Sequence, residues 1–113
     1  MKTERLAATV DALGSGACIA LVGDLDGGAD RALADAYAGA IRLGSGELVL
    51  DFHGTGYINS TGIALVVRLL AEARRDRRAV RAVGLNGHYR ELFRITRLAD
   101  FMTIEDRAAE PDH

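Results

Sequence analysis

Two adjacent hydroxyl side chains, Ser60 and Thr61, follow a glycine-rich segment and precede an apolar run that begins near Ile63. Residues 48–52 are apolar at nearly every position, which is typical of a buried strand. The apolar residues after Ser60 repeat with helical spacing. The pair is therefore expected at a helix start, where free backbone N–H groups and the helix dipole favour negative charge.

This placement allows two interpretations of the hydroxyl pair. In the first, the side chain of Asn59 or Ser60 caps the helix by accepting a backbone N–H, which is worth about 1 kcal/mol. In the second, Ser60 accepts a phosphate, which adds a charge of about −2 beside the helix N-terminus. A partner at that surface would then be repelled without unfolding of the domain. Spacing alone favours the cap.

The rest of the chain supplies the elements that must position this pair. Glycine clusters at residues 14–16 and 44–46 mark a hairpin turn and a helix end. The predicted strands cover residues 9–13, 18–22, 47–52, 79–83 and 101–104. Loops are predicted at residues 23–28 and 53–57, and helices at residues 29–42, from about Ile63 to Arg78, and 88–97.

The predicted order, β-β-α-β-α-β-α-β, is typical of an α/β fold. We expect one domain with a mixed sheet of about five strands, helices packed on it and right-handed crossovers. A length of 113 residues suits a single domain with its own core. The core is expected at about residues 5–106, and the polar segment 107–113 is expected to fray.

Composition argues against several classes of protein. A net charge of −2 gives no overall field for nucleic acid or membrane. One cysteine, Cys18, allows no intrachain disulfide, and it is expected to be a small buried residue in a strand. The polar N-terminus is unlike a signal peptide, so a cytoplasmic location is expected. The arginines of residues 74–81 are interpreted as a solvated helix end, because no aromatic residue is interleaved with them.

Other groupings of reactive residues fit known chemistry poorly. The acidic loop with Asp24 and Asp26 lacks the glycine and glutamate that a calcium loop needs at its sixth and twelfth positions. A phosphotransfer site with Asp51 lacks a lysine nearby, since the only lysine is Lys2. A hydrolytic pair of Ser60 with His53 stays open, although no nucleophile elbow surrounds it. No catalytic residue, metal ligand or cofactor is therefore predicted.

The chain resembles a STAS domain of the stand-alone bacterial type, the anti-sigma factor antagonists, over nearly its whole length. The resemblance is carried by the loop Gly23-Asp24-Leu25-Asp26, residues 48–58, the signature Asn59-Ser60-Thr61-Gly62, and the late segments 83–85 and 101–104. It implies that Ser60 is the phosphoacceptor. It also implies that the partner is an anti-sigma factor, a serine kinase of the histidine-kinase-like ATPase type that carries the ATP. Asp26 is implied to lie at the same surface.

On this reading the protein is an anti-sigma factor antagonist that phosphorylation of Ser60 switches off. The expected partner-binding residues are Asp24, Asp26, Asn59, Ser60, Thr61 and Gly62. An alternative is a STAS scaffold subunit of a signalling or transport complex that is never phosphorylated. Asn59 favours the alternative, because antagonists commonly carry Asp there. A reversing phosphatase and a homodimer are left open, and no nucleic acid or membrane partner is expected.

Overall fold

The computed structural model describes residues 5–105. Within this range five strands and three α-helices follow one another in the predicted order. They are β1 (Ala7–Leu13), β2 (Gly16–Leu25), α1 (Asp30–Ile41), β3 (Leu48–Ile58), α2 (Ser60–Arg75), β4 (Val80–Val83), α3 (Gly87–Ile95) and β5 (Thr103–Ile104). Short 3-10 turns precede α1 at Gly27–Ala29 and β5 at Leu98–Asp100.

The five strands form one mixed sheet in the order β1-β2-β3-β4-β5. β1 and β2 pair antiparallel as a hairpin whose two-residue turn begins at Gly14, with a φ of +59°. A left-handed φ at the first turn residue suits glycine and matches the twist of the strands. The other neighbouring strands pair parallel. The predicted α/β architecture with a mixed five-stranded sheet is confirmed.

One face of the sheet carries the helices and the apolar core. Leu48, Leu50 and Phe52 alternate along β3 and are at most 2% exposed. The ring of Phe52 meets that of Phe93 from α3 edge to face, with centroids 5.8 Å apart. Val49 points to the opposite face and is buried outside this core. Because α2 begins two residues after β3 ends at Ile58, the start of this helix lies at the carboxyl end of β3.

The predicted loop at residues 53–57 is wrong, because β3 continues through it to Ile58. The glycines that suggested a loop instead allow β2 and β3 to approach closely. A Cβ on Gly54 would lie 2.9 Å from Val22 Cγ2, and one on Gly56 would lie 2.8 Å from the Asp24 carboxylate. Register shifts in the β2–β3 pairing accompany these glycines. Glycine here reflects strand packing and not a turn.

Several predicted boundaries also move. β2 extends to Leu25, so half of the predicted loop 23–28 is strand. The second helix begins at Ser60, three residues before the predicted start. β5 is shorter than predicted, since Phe101 belongs to a turn and is 50% exposed. The predicted fraying of residues 107–113 lies outside the described residues.

Candidate functional site

The start of α2 is capped by Asn59. Its backbone is extended, with φ −101° and ψ −177°, and its side-chain Oδ1 accepts the backbone N–H of Gly62 at 2.8 Å. The Asn59 carbonyl accepts the N–H of Ile63 at 2.9 Å, so the first helical bond also starts here. Sequence alone left Asn59 and Ser60 as alternative caps, and the geometry selects Asn59.

Ser60 is the first residue of α2 and is exposed. Since Asn59 supplies the cap, the Ser60 hydroxyl is not needed to hold the helix. It lies at the end of a 16-residue helix where the backbone dipole is positive and N–H groups lack helical partners. A phosphate on this oxygen would face favourable electrostatics from its own chain.

Two aspartates at the end of β2, Asp24 in the strand and Asp26 just after it, come from the segment that packs against this helix start. Leu25 pairs with Ile58 at the ends of β2 and β3, and the Leu25 carbonyl accepts the N–H of Asn59 at 3.2 Å. The carboxylate of Asp24 accepts the N–H of Tyr57 at 3.1 Å. The carboxylate of Asp26 accepts the N–H of Gly28 at 2.9 Å and so caps the short 3-10 turn. Both aspartates are half-buried and stabilise this corner.

Thr61 and Gly62 fill different roles. Gly62 is buried, and a Cβ there would lie only 1.9 Å from the Leu25 carbonyl oxygen. Glycine is therefore what lets the first turn of α2 rest against the end of β2. Thr61 is exposed, and its Cγ2 would lie 3.5 Å from a Cβ on Gly27. Thr61 thus lies beside the 3-10 turn, with its side chain exposed.

Tyr89 also holds the corner, and sequence reasoning did not single it out. Its hydroxyl accepts the backbone N–H of Ile58 at 3.0 Å, so α3 anchors the last residue of β3. The contact joins residues 31 positions apart. No local pattern signals it, because in the sequence Tyr89 is simply one residue of an amphipathic helix.

The rival sites are not assembled. His53 Nδ1 lies 2.7 Å from Asp51 Oδ1, so the histidine pairs with that carboxylate. His53 precedes the end of β3 by five residues, roughly 15 Å along a strand, which places it far from Ser60. Asp51 pairs with Ala20 in the sheet, four residues before Asp24. Within residues 5–105 no group of three or more His, Cys, Asp or Glu side chains could hold a metal ion.

Three of the five arginines of residues 74–81 make contacts within the domain. Arg74 lies over the ring of Phe101, 5.4 Å from its centroid. Arg78 Nε donates to the Gly46 carbonyl at 2.7 Å, and Arg81 pairs with Glu47 at 2.8 Å. The expected solvated helix end holds for Arg74, Arg75 and Arg77, which are exposed, whereas Arg78 and Arg81 are half-buried.

The face of α2 that leads away from Ser60 carries exposed apolar side chains. Ala64, Val67 and Ala71 recur at helical spacing from Ser60 and are exposed, Val67 by 46%. The apolar cleft of about 250 Å³ lies instead between α1 and α2, around Tyr37 and Leu69. A convex helix face with an exposed hydroxyl at one end suits contact with another protein better than enclosure of a small molecule.

Comparison with known proteins places the chain in a family. The family model described as "Mlab, STAS domain" matches residues 8–104. The chain therefore belongs to the STAS-domain family, as the resemblance predicted. No curated protein matches it by sequence. Within the described part of the chain, no helix combines the length and apolarity needed to cross a bilayer.

Solved structures share the fold at low sequence identity. The anti-sigma factor antagonist SpoIIAA in its unphosphorylated form is 17% identical, with a TM-score of 0.67 and 88% of each chain covered. An anti-sigma factor antagonist from Mycobacterium paratuberculosis is 16% identical, with a TM-score of 0.72 and coverage of 88% of this chain and 84% of that one. The Bacillus cell fate determinant SpoIIAA in its phosphorylated form is 18% identical, with a TM-score of 0.66 and coverage of 90% and 94%.

Proposed function

We propose that this STAS domain is an anti-sigma factor antagonist. In the unphosphorylated state it binds an anti-sigma factor that is also a serine kinase, and the sigma factor is released. Phosphorylation of Ser60 ends that binding. The observation that carries the proposal is the exposed Ser60 at the first position of α2, beside a cap that Asn59 supplies.

The division between cap and acceptor supports a switch that leaves the fold intact. Modification of a capping side chain would remove a helix-stabilising hydrogen bond, whereas modification of Ser60 leaves the Asn59–Gly62 bond in place. Structures of SpoIIAA in unphosphorylated and phosphorylated forms resemble this fold equally well, with TM-scores of 0.67 and 0.66. This likeness supports a phosphate that acts on partners and not on folding.

The proposed contact surface follows the exposed face of α2. Ala64, Val67 and Ala71 offer an apolar strip to a partner, with Ser60 at its end. Two negative charges on Ser60 would have to be stripped of water when this strip is covered, which strongly disfavours the complex. We assign Asp24, Asp26, Asn59, Thr61 and Gly62 to the same contact surface. The end of β2 that carries the two aspartates packs against the first turn of α2, through the Leu25 carbonyl.

In this proposal the chain performs no chemistry of its own. ATP and the catalytic groups for phosphate transfer belong to the partner kinase, and the reverse step would need a separate phosphatase. The setting would be the cytoplasm, where sigma factors act. Ser60 would be a substrate side chain and not a catalytic residue.

A second candidate is a STAS subunit of a larger transport or signalling complex that is never phosphorylated. The feature that favours it is Asn59, which stands where the resemblance leads one to expect Asp. Such a subunit would use the same face of α2 as a permanent contact. The two functions differ in whether Ser60 accepts phosphate.

Phosphate transfer from a histidine-kinase-like ATPase of the same organism separates the two. We expect one added phosphate by intact-mass measurement on the wild type and on Thr61→Ala, and none on Ser60→Ala. Thr61→Ala is the matched control, because Thr61 is the neighbouring exposed hydroxyl. Phosphate on Ser60→Ala, or no transfer to the wild type by any such kinase of that organism, would refute the proposed switch.

Binding gives a second readout with the kinase as bait. Ser60→Asp should weaken capture of this protein by the kinase at least tenfold, while the thermal midpoint of the variant stays within a few degrees of the wild type. Ser60→Ala should bind like the wild type. A Ser60→Asp protein that unfolds would instead show that the side chain has a structural role.

A further inference from the structure

β1 forms an open edge of the sheet. It pairs with β2 on one side, and no other strand of residues 5–105 lies on its second side. Its pairing with β2 runs without a register shift from Ala7 to Leu13. The strand contains no proline and no lysine, and Asp11 is its only charge. Proteins usually protect a free edge with such residues or with bulges, so this edge is unusually receptive to another strand.

The hairpin determines which backbone groups face outward. Leu13 and Gly16 close the two-residue turn, and hydrogen-bonded pairs then alternate along an antiparallel ladder. Thr9 and Asp11 consequently direct their N–H and C=O groups to β2. Ala8, Val10 and Ala12 direct theirs away from the sheet. These three alternate residues offer a partner strand a row of backbone donors and acceptors.

We infer that a second copy of this chain pairs along β1, antiparallel and centred on Val10. Val10 then faces Val10 of the other copy, and Ala8 faces Ala12 in both directions. All three outward residues meet outward residues, which gives about six intermolecular backbone hydrogen bonds. The arrangement is two-fold symmetric and closed, and it joins the two sheets into one of ten strands.

The side chains agree with this register. Each Asp11 lies opposite Thr9 of the other copy, so the two carboxylates do not face each other. Leu13, which is 51% exposed, lies opposite Ala7. A strand shifted by two residues would lose a hydrogen-bonded pair. The register with the most backbone bonds is therefore also free of repulsion between the two Asp11 carboxylates.

Helix α1 strengthens the same contact. Gly39 lies over the middle of β1, since a Cβ there would be 4.0 Å from Val10 Cγ2. The two α1 helices would flank the symmetry axis about two strand spacings apart, roughly 10 Å, which is a packing distance for helices. Asp35 and Arg42 lie one turn on either side of Gly39 and are exposed. The two-fold axis sets Asp35 of each copy beside Arg42 of the other.

Sedimentation of the full chain over a concentration series tests the pairing. We expect the wild type to approach twice 12.1 kDa. Thr9→Asp places two carboxylates opposite each other at both ends of the contact and should raise the dimer dissociation constant about tenfold or more. Thr9→Lys places opposite charges there and should lower it. Ala12→Pro removes an outward N–H without removing a bond to β2, and should also give monomers.

The matched control is Thr103→Asp, an exposed residue on β5 at the other edge of the sheet. It should dimerise like the wild type. Circular dichroism should show that each variant retains its fold. A wild type that stays at 12.1 kDa throughout, a Thr9→Asp variant that dimerises like the wild type, or monomers of Thr103→Asp would each overturn the inference. None of these outcomes depends on Ser60 or on a kinase.

Discussion

At many helix starts one hydroxyl residue both caps the helix and faces solvent, but here two neighbouring residues divide these roles. Asn59 holds the backbone of α2, and Ser60 presents its hydroxyl to solvent. The sequence drew attention to the pair Ser60 and Thr61, because hydroxyl residues before an apolar helix are a local signal, and the family resemblance selected Ser60 of the two. The sequence was not sufficient to explain Gly62, because its constraint comes from Leu25, 37 positions earlier in the chain.

The first prediction concerns Gly62. Gly62→Ala should lower the free energy of unfolding by about 3 kcal/mol, because the new methyl group would lie 1.9 Å from the Leu25 carbonyl oxygen and the backbone must shift. Urea denaturation measures the change. Gly87→Ala is the control, since nothing lies within 4 Å of a Cβ at that helical glycine. Equal stabilities of the two variants would contradict the packing role of Gly62.

At the scale of elements, the sequence predicted every strand and α-helix of the described region, but neither the two short 3-10 turns nor all of the ends. The hairpin was predicted from the glycines of residues 14–16, and α1 was predicted from the helical spacing of its apolar residues. Both signals are local in the sequence. β3 was cut short because Gly54 and Gly56 have the composition of a loop, although their role is to admit Val22 and Asp24 of the neighbouring strand. Such contacts are visible only after β2 and β3 have been paired.

The start of α2 supplies the prediction at this scale. Asn59→Ala should lose about 1 kcal/mol of stability, because the Gly62 N–H loses its acceptor. Asn59→Asp should retain the wild-type stability, since a carboxylate accepts the same bond and favours the helix N-terminus. Thermal denaturation of the two variants measures this difference.

Asn86 provides a matched cap at another helix. Its side chain accepts the N–H of Tyr89 at 2.9 Å at the start of α3. Asn86→Ala should therefore lower the stability by a similar amount, while Ser60 and the Asn59 cap of α2 stay unchanged. If Asn59→Asp proved as unstable as Asn59→Ala, the hydrogen bond to Gly62 would not be the source of the effect.

For the whole molecule, the alternation of strands and helices predicted the fold class, and the signature around Ser60 predicted the family. Contacts between elements that are far apart in the sequence could not be predicted from it. One of them joins α1 to the end of α2. The Tyr37 hydroxyl on α1 donates to Asp76 at the end of α2 at 2.5 Å, and the two residues are 39 positions apart.

This contact makes the free energy of unfolding vary with pH in the alkaline range. Burial of the ring, and then the hydrogen bond to Asp76, raise the pKa of Tyr37 well above its ordinary value of 10.0. The unfolded chain loses this proton near pH 10, while the folded chain keeps it. The stabilisation is thus complete below pH 10 and declines as the pH rises through and beyond it.

Tyr37→Phe tests the dependence, because it removes the titrating group. The variant should be less stable than the wild type at neutral pH, and the difference should shrink as the pH passes 10. Denaturant titrations over that range measure it. Val67→Ala, an exposed change on α2, should follow the wild-type profile. A gap between wild type and Tyr37→Phe that does not vary with pH would contradict the assignment.

The one-sided packing of the helices has a practical consequence for solution studies. Cys18, the only cysteine, alternates with the core residues Ala17 and Ile19. It therefore projects from the face of the sheet opposite the helices of residues 5–105, away from α2. Burial, and then the Asp51 and Asp11 carboxylates, raise the pKa of its thiol, so alkylation will need mildly alkaline buffer. A fluorescent label there would report the slower tumbling of a complex formed on α2 without obstructing the contact.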